Sequence, residues 1–569
     1  MSDGVKNDLV TREVIRGWLD TAAEEMQSAL IKSAHSMLIA EGRDATAALF
    51  DDQGRTLAQA SSIPVHLGVM VGLGRIIAQR YPAGSANEGD VYITNDPYAG
   101  GTHMPDIAVC VPIFHEKILV GYALTMAHHR DIGGLLPGSV SLKARDVHAE
   151  GLRIPLVRLV NGHVPCESIW DLIVACSRTP RSLRGDLSAQ IAGCRTGERR
   201  LGELFQRWNP AIVREASASL MDYSERLTRQ AIRSLPRGRA TFVDYLDDDG
   251  LNPDSAPTRI ETSVEVTDDQ ITFDFSGSGS SVSAAINNVA ASTTAIVYYA
   301  VRTLTGDTVP NNDGCYRPVR VILPKFSIVN AEYPAPVGSR GVALKRIEDV
   351  VLGALAQLAP ERMCAAHSGQ YTIISVAGRD PIRNEPLIGH VGGPYAGGNG
   401  AQPHRDGIDC SEHGATNGSM VSIEDSEYRM PLRFRKLELW TDSGGAGRLR
   451  GGLGYEAEVE WLGGEITATL RRERMKFAPR GLEGGHDAPR CRTLLKLAEG
   501  ITKELPGKID FVMRRGDIVR YWTTGGAGRG SPLERERSKV VADVMDSRVS
   551  PDAARTIYGL DEKSLGEAQ

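Results

Sequence analysis

His103, Asp106 and His128 are the residues of this chain whose types and spacing could gather a cation. They lie in one stretch, Asn95 to Gly134, NDPYAGGTHMPDIAVCVPIFHEKILVGYALTMAHHRDIGG. Ile107 to Phe114 is mostly apolar and β-branched, His115-Glu116-Lys117 is polar, and Ile118 to Ala127 is apolar again, a pattern of strand, turn and strand. Antiparallel pairing about a turn near Lys117 makes the numbers of facing residues sum to roughly 234. Asp106 then faces His128 at the open end of the hairpin, and His103, just ahead of Asp106 across Pro105, hangs over the same end. Gly100-Gly101 lets the loop fold back over them. One histidine near a strand end is commonly a hydrogen-bonded surface residue; three converging ligand types argue for a site. Two imidazoles and a carboxylate suit one divalent transition metal, zinc, manganese or iron, better than magnesium or calcium, which prefer oxygen shells.

Further groups could complete such a centre. Asp44, in EGRD ahead of the apolar run ATAALF, is placed at a strand start to supply a fourth ligand, or is a plain turn acid. His129 and Asp131 are candidates for outer groups that fix an imidazole's tautomer or steer a proton. His66, in SIPVHLGVM, is either a structural histidine ahead of an apolar helix or a group that orients substrate. Arg340, in the stiff bend PAPVGSRG, could clamp an anion with its fork or form an ordinary surface salt bridge.

The segments NDPY, GGTHMPD and MAHHRDIGG resemble the hydantoinase B family, the second subunit of ATP-dependent hydantoinases, lactamases and oxoprolinases, to which acetone and acetophenone carboxylase subunits are similar. SRGVALKRIEDV, GGPYAGGNGAQPHRDG and DSGGAGRLRGGLG extend the likeness through most of the chain. The resemblance implies a His, an Asp three residues on and a His 25 residues after the first, which here are His103, Asp106 and His128; its EGRD-type motif favours Asp44 as the fourth ligand.

The elements that must position these residues begin with a long amphipathic helix from about Arg12 to Ala40, on which Ile15, Leu19, Ala22, Met26, Leu30 and Ala34 recur at helical steps. Strand, DDQG turn and strand follow it. A helical stretch from Ser168 to Leu235 closes a first, metal-binding catalytic region, residues 1–240. Acids, Gly and Pro crowd at Tyr245 to Pro257 as a junction. A central region, 241–385, carries a hairpin from Ser263 to Phe275, an apolar helix Ala284 to Leu304 and a helix Ile347 to Leu358. The third region, 386–569, opens on a Gly-rich stretch between Gly389 and Gly418 holding His390, His404, Asp406, Asp409 and His413, read as a substrate or interface loop rather than a second metal site. It continues β-rich, with GGAGR at 444–448 and again at 525–529, and ends in a charged helical tail suited to an arm on a partner. The expected class is α+β, multi-domain, with mixed sheets, long helices and a β-rich C-terminal part.

Length and composition agree with two or three domains: 569 residues, 41% hydrophobic and 24% charged. A formal net charge of −6 and the lack of basic clusters interleaved with aromatics exclude a nucleic-acid partner as an expectation. No run of about 18 apolar residues and no apolar leader appear, so neither a membrane nor secretion is expected, and the cytoplasm is. Eight scattered cysteines without a CxxC pair argue against a zinc knuckle or disulfide framework and for reduced, mostly buried thiols.

No GxxxxGK[ST] loop occurs; SGSGSS after Phe275 lacks a lysine, and Gly507-Lys508 is followed by Ile-Asp. The function that the resemblance implies is the metal-bearing hydrolytic, beta-type subunit of an ATP-dependent cyclic-amide hydrolase acting on a hydantoin, lactam or oxoproline ring. The resemblance implies that ATP is bound by a larger hydantoinase A-type subunit, which phosphorylates the amide oxygen, and that water activated by the cation here attacks the ring carbon, in a heterotetramer. Two other readings stand beside it: a subunit of an ATP-dependent ketone carboxylase, and a non-catalytic scaffold with a structural metal.

Overall fold

The computed structural model describes residues 9–306, 308–379, 386–391, 397–412 and 414–561. His413 and part of the Gly-rich stretch lie outside them. The α+β class with several sheets is what the described residues form.

The first region runs α1 (Leu9–Ser33), α2 (Met37–Ala40), β1 (Ala45–Asp51), β2 (Thr56–Gln59), α3 (Pro64–Arg80), β3 (Val91–Thr94), β4 (Asp106–His115), β5 (Ile118–His128), β6 (Val157–Asn161), β7 (Val164–Pro165), α4 (Glu167–Ala175), α5 (Pro180–Arg207) and α6 (Pro210–Arg233). Its strands make one antiparallel sheet in the order β2-β1-β5-β4-β3-β6-β7. Strand residues alternate between faces. Ala47, Leu49, Ile107, Val109 and Ala123 pack with α1 and α5, while Ala48, Phe50, Ala108, Cys110, Leu124 and Met126 pack with α3. The single long helix expected from Arg12 to Ala40 is two, because Asp186 on α5 accepts the backbone N–H groups of His35 and Ser36 at 2.7 and 3.0 Å and turns the chain there. Gly197 lets α5 close on α1: a Cβ there would lie 2.4 Å from the Met26 sulfur.

The second region adds β8 (Gly238–Leu246), β9 (Thr258–Val266), β10 (Ile271–Asp274), α7 (Ala290–Thr305), β11 (Val319–Ile322) and α8 (Gly341–Leu358), with sheet order β11-β10-β9-β8. The helix expected from Ala284 starts six residues later, because the Asn287 side chain ties the preceding turn to the carbonyls of Val282, Ala284 and Pro336. α7 and α8 pack between α3 and this second sheet, so one apolar core joins the two regions, from Phe50 and Met126 through Ile296 and Leu344 to Phe273.

The third region is β-rich: β12 (Ile373–Arg379), β13 (Pro386–Val391), α9 (Ile423–Arg429), β14 (Leu432–Leu439), β15 (Tyr455–Trp461), β16 (Ile466–Arg471), β17 (Arg492–Lys496), β18 (Thr502–Glu504), β19 (Lys508–Met513), β20 (Ile518–Trp522), α10 (Arg537–Met545) and α11 (Pro551–Thr556). Its two antiparallel sheets, β13-β12-β16-β19 and β14-β15-β20-β17-β18, share a core around Trp461, Leu470 and Tyr521. The two GGAGR copies lie against each other, Gly445 donating to the Gly526 carbonyl at 2.8 Å and Leu449 pairing with Arg529. The tail does not project as an arm over its described length. Val540, Ala554 and Tyr558 pack with Ala446, and buried Arg535 pairs with Asp406 and Asp543. No described helix is long and apolar enough to cross a membrane, and all eight cysteines are free, four of them buried.

Candidate metal centre

Asp106 opens β4 and His128 closes β5, and the two face each other across the ladder. Near the turn the register is offset by one, His115 pairing with Ile118, and a bulge between Ile113 and Phe114 restores the sum of 234 that brings Asp106 to His128. Both side chains, two positions from Ala108 and Met126, project from the α3 face. His103 comes from the loop between β3 and β4, which Asn95 pins by donating to the carbonyls of Met104 and Leu152 and accepting from Ile154 N. Gly100, at φ 96°, turns it back over the hairpin end.

The three donor atoms form a tight triangle. His103 Nε2 and His128 Nδ1 each lie 2.9 Å from Asp106 Oδ1 and 3.2 Å from one another. His103 Nδ1 stands 2.8 Å from the Gly338 carbonyl, which can only accept, so the proton is on Nδ1 and Nε2 carries a lone pair. Burial pulls the pKa of His103 down to about 4, with Arg340 adding to it and Asp106 opposing. At neutral pH, then, a nitrogen lone pair faces a carboxylate oxygen at hydrogen-bond distance, an arrangement that a cation between them would stabilise. Burial works against ionised Asp106, but His103, His66 and Arg340 outweigh it and hold the carboxyl well below the usual carboxylate range. Burial lowers His128 too, and there the Asp106 bond and the Asp44 charge prevail and raise it.

The second oxygen of Asp106 is fully engaged. It accepts from Thr102 Oγ1, from the Arg340 guanidinium at 2.6 Å and from His66 Nε2 at 3.2 Å, which leaves Oδ1 to the two histidines. Arg340 is 6% exposed, so it is no surface salt bridge; it stands at the start of α8 and reaches across to the hairpin. Asp44 precedes β1, where its carbonyl accepts from His128 N at 3.0 Å. Its carboxylate lies 4.0 Å from His66 Nδ1, outside the tight triangle and on the wall of the same cavity. That His66 nitrogen is buried and has no hydrogen-bond partner among the described residues.

Two candidates do not meet the cluster. His129 follows His128 in the chain and therefore points to the opposite face of the sheet, where its Nε2 lies 2.8 Å from Gln190 Oε1 of α5. Asp131 accepts from Gly138 N and pairs with Arg178, binding the loop after β5 to the chain ahead of α5. Neither touches the imidazoles that it was expected to orient; the Gly338 carbonyl and Asp106 do so instead.

A cavity of about 150 Å³ opens beside the triangle. Its wall includes Tyr371, Glu412 and Arg471, which no motif in the sequence singles out, together with Ser339 of the PAPVGSRG bend and His390 of the Gly-rich stretch. A second cavity of about 230 Å³ shares His128 and His390 with it. Of the Gly-rich stretch, His390 reaches these cavities, whereas Asp406 and Asp409 pair with Arg535 and Arg450 and line neither. His103, Asp106 and His128 are the one group among the described residues whose ligand atoms converge as a metal site requires.

Residues 8–532 match the family model described as hydantoinase B/oxoprolinase. A protein of Pseudomonas sp. strain NS671, named as the B-type subunit of a D-/L-hydantoinase, is 32% identical, over 98% of this chain and 96% of its own length. The crystal structure of the ATP-dependent caprolactamase from Pseudomonas jessenii superposes at a TM-score of 0.90 with 30% identity, covering 98% of this chain and 97% of that one. Nucleotide-free acetone carboxylase superposes at 0.89 over 98% of this chain and 82% of its own, with 18% identity, a likeness of fold.

Proposed function

This chain belongs to the hydantoinase B/oxoprolinase family, and from that premise we propose that it is the hydrolytic, divalent-metal-bearing subunit of an ATP-dependent enzyme that opens a cyclic amide. The observation that carries the reading is the triangle of His103 Nε2, Asp106 Oδ1 and His128 Nδ1, with an unprotonated imidazole nitrogen set against a carboxylate beside a cavity. These three residues and Asp44 would hold zinc, manganese or iron, which would supply Lewis acidity at this corner of the cavity. Arg340, Thr102 and His66 fix the Asp106 carboxylate, and the Gly338 carbonyl fixes the tautomer and the ring of His103. His66 Nδ1, buried and 4.0 Å from Asp44, is the group placed to hold or pass a proton within the site. His129 and Asp131 then serve as positioning residues that fasten the end of β5 from behind.

An amide carbonyl is a poor electrophile. Activation by phosphorylation would come from a larger ATP-binding hydantoinase A-type subunit in a heterotetramer, in keeping with the relatives, one named as a B-type hydantoinase subunit and one as an ATP-dependent caprolactamase. A cavity walled by protein around the reacting carbon would limit the exposure of an activated intermediate to solvent. The hydrolase reading is preferred to ketone carboxylation because the relatives at 30–32% identity are cyclic-amide enzymes, while acetone carboxylase shares the fold at 18%. The cavity beside the ligands speaks against a mere scaffold. The test is co-purification with the product of the neighbouring gene, metal analysis, and an ATP-dependent screen of hydantoins, lactams and oxoproline with and without bicarbonate. Ring opening without bicarbonate is expected; turnover of ketones that requires bicarbonate would overturn it.

A further inference from the structure

Arg471 ends β16 in the wall of the same cavity, and it is an odd residue to find there. It is 4% exposed, and among the described residues its Nε has no hydrogen-bond partner and no carboxylate pairs with it. One terminal nitrogen donates to Ser375 Oγ on β12. The nearby acid, Asp510, is taken by Lys143 at 3.0 Å and by Thr469 at 2.7 Å. The contrast with Arg346 is direct: that buried guanidinium meets Asp244 at 2.8 Å and its pKa rises, whereas burial pulls Arg471 down to about 10, opposed only by the charge of Asp510. A buried cation that pairs with no anion of its own chain is costly unless something else supplies one.

An arginine can only donate, so Ser375 Oγ accepts from it, and the same hydroxyl lies 3.3 Å from His390 Nδ1. Burial, with Arg471, His128 and Arg130 adding, pulls the pKa of His390 down to about 3. Arg471 and His390 both line the cavity that His103, Asp106 and His128 line.

We propose that Arg471, held by Ser375, forms an oxyanion subsite in the cavity that the candidate metal cluster lines, and that it takes a carboxylate or phosphoryl group of the molecule whose ring carbon is attacked at that cluster. This rests on reading the cavity as the hydrolytic site. The two sources share one chemistry, a compact oxyanion that a guanidinium fork can grip. A phosphoryl group would be the one placed on the amide oxygen; a carboxylate would be a substituent of the ring.

The experiment is calorimetric titration of the metal-loaded full chain with three probes: inorganic phosphate, 2-pyrrolidone-5-carboxylate and its uncharged parent 2-pyrrolidone. Wild type, Arg471→Gln and Arg471→Lys are compared. Loss of one charge-assisted bidentate contact should weaken a charged probe by about tenfold or more in the Gln variant, less in the Lys variant, and leave the uncharged parent unaffected. Weakening of phosphate assigns the subsite to the phosphoryl group, and weakening of the carboxylated ring assigns it to a substituent. Equal affinity of both charged probes for wild type and Arg471→Gln overturns the proposal, as does failure of both to bind wild type. Because Arg471→Lys keeps the buried charge and stem, it provides the comparison if the Gln variant does not fold. Metal content, measured on the same samples, separates this outcome from a failure of the metal reading: the Gln variant should hold as much metal as wild type.

Discussion

Two buried clusters of charge lie along α8, and they are built oppositely. At the start of the helix Arg340 reaches the candidate metal cluster, where an imidazole lone pair and a carboxylate crowd together beside open space. Further along, Arg346 and Asp349 enter a clasp between the second and third regions. There Asp244 pairs with Arg346 and Arg474, Asp349 with Arg474 at 2.5 Å, Glu473 with Arg346 and Lys508, and Asp248 with Lys508 at 2.9 Å. Asp247 accepts the backbone N–H groups of Met475, Lys476 and Phe477. Burial alone therefore does not mark a site. In the clasp nearly every charge meets its opposite; in the candidate metal cluster an imidazole lone pair faces a carboxylate oxygen, an arrangement that a cation would stabilise.

That difference predicts opposite consequences of mutation. His103→Ala or His128→Ala removes a ligand and a partly desolvated imidazole but leaves Asp106 its bond to Arg340. Bound metal and turnover with the partner subunit should fall by more than about a hundredfold, while the thermal midpoint of the metal-free chain stays close to wild type. Full metal content by elemental analysis in both variants would remove the site. Arg346→Met, in the clasp, should do the reverse. It leaves Asp244 and Glu473 without one of their shared cations in a buried place, at a cost of about 3–5 kcal/mol in chemical denaturation, while metal bound per folded molecule is unchanged. A mild effect on stability would show that the clasp relaxes through water, and the comparison would lose its sharper half.

Asp44 tests the boundary of the metal cluster. Its carboxylate is half-buried and 4.0 Å from His66 rather than within the triangle. As a fourth ligand it should be needed for affinity but not for the triangle's shape, so Asp44→Asn, which removes the charge and nearly conserves the volume, should weaken metal binding by about tenfold. Unchanged affinity in a competition assay with a chelator would return Asp44 to the role of a turn acid whose carbonyl holds His128.

Much of this centre was legible because it is local. A hairpin with a polar turn fixes which residues face each other, and the ligand pair followed from the sum of their numbers, even though the turn itself is offset and a bulge makes up the difference. The same ladder shows why His129 belongs elsewhere: alternation that puts His128 on one face puts its successor on the other, against α5. What the sequence could not show is the rest of the cavity wall. Arg340 lies 234 residues from Asp106, its partner, and Arg471, Glu412 and Tyr371 come from other sheets and loops. No periodicity links them to the hairpin, and a charged run such as Arg471-Arg472-Glu473-Arg474 reads as a solvated surface until the structure buries it. The helices were found by their apolar stripes; their breaks at His35 and ahead of Ala290 were not, because distant or side-chain hydrogen bonds set them.

Glu150 stands between the two kinds of cluster and yields the smallest and most specific expectation. It is 1% exposed, with no cationic partner among the described residues, and its two oxygens accept from Gly338 N at 2.6 Å and Val337 N at 3.1 Å, in the bend whose Gly338 carbonyl orients His103. Burial, opposed only in part by those two amides, pushes its carboxyl up from the ordinary 4.5 to about 8. A carboxyl whose pKa is higher in the folded chain than in the unfolded one stabilises the fold while both are protonated, and that contribution is lost as pH rises from the unfolded value through the folded one. In chelator, so that metal binding does not intrude, wild type should therefore lose stability between about pH 5 and pH 8, read as a falling urea midpoint. Glu150→Gln is the informative variant: it cannot ionise, keeps one acceptor for the bend, and gives up the other, so it should start lower at pH 5 and show a flatter profile. If the two profiles run parallel, the amides keep Glu150 ionised throughout, and the bend behind His103 is held by a charge after all.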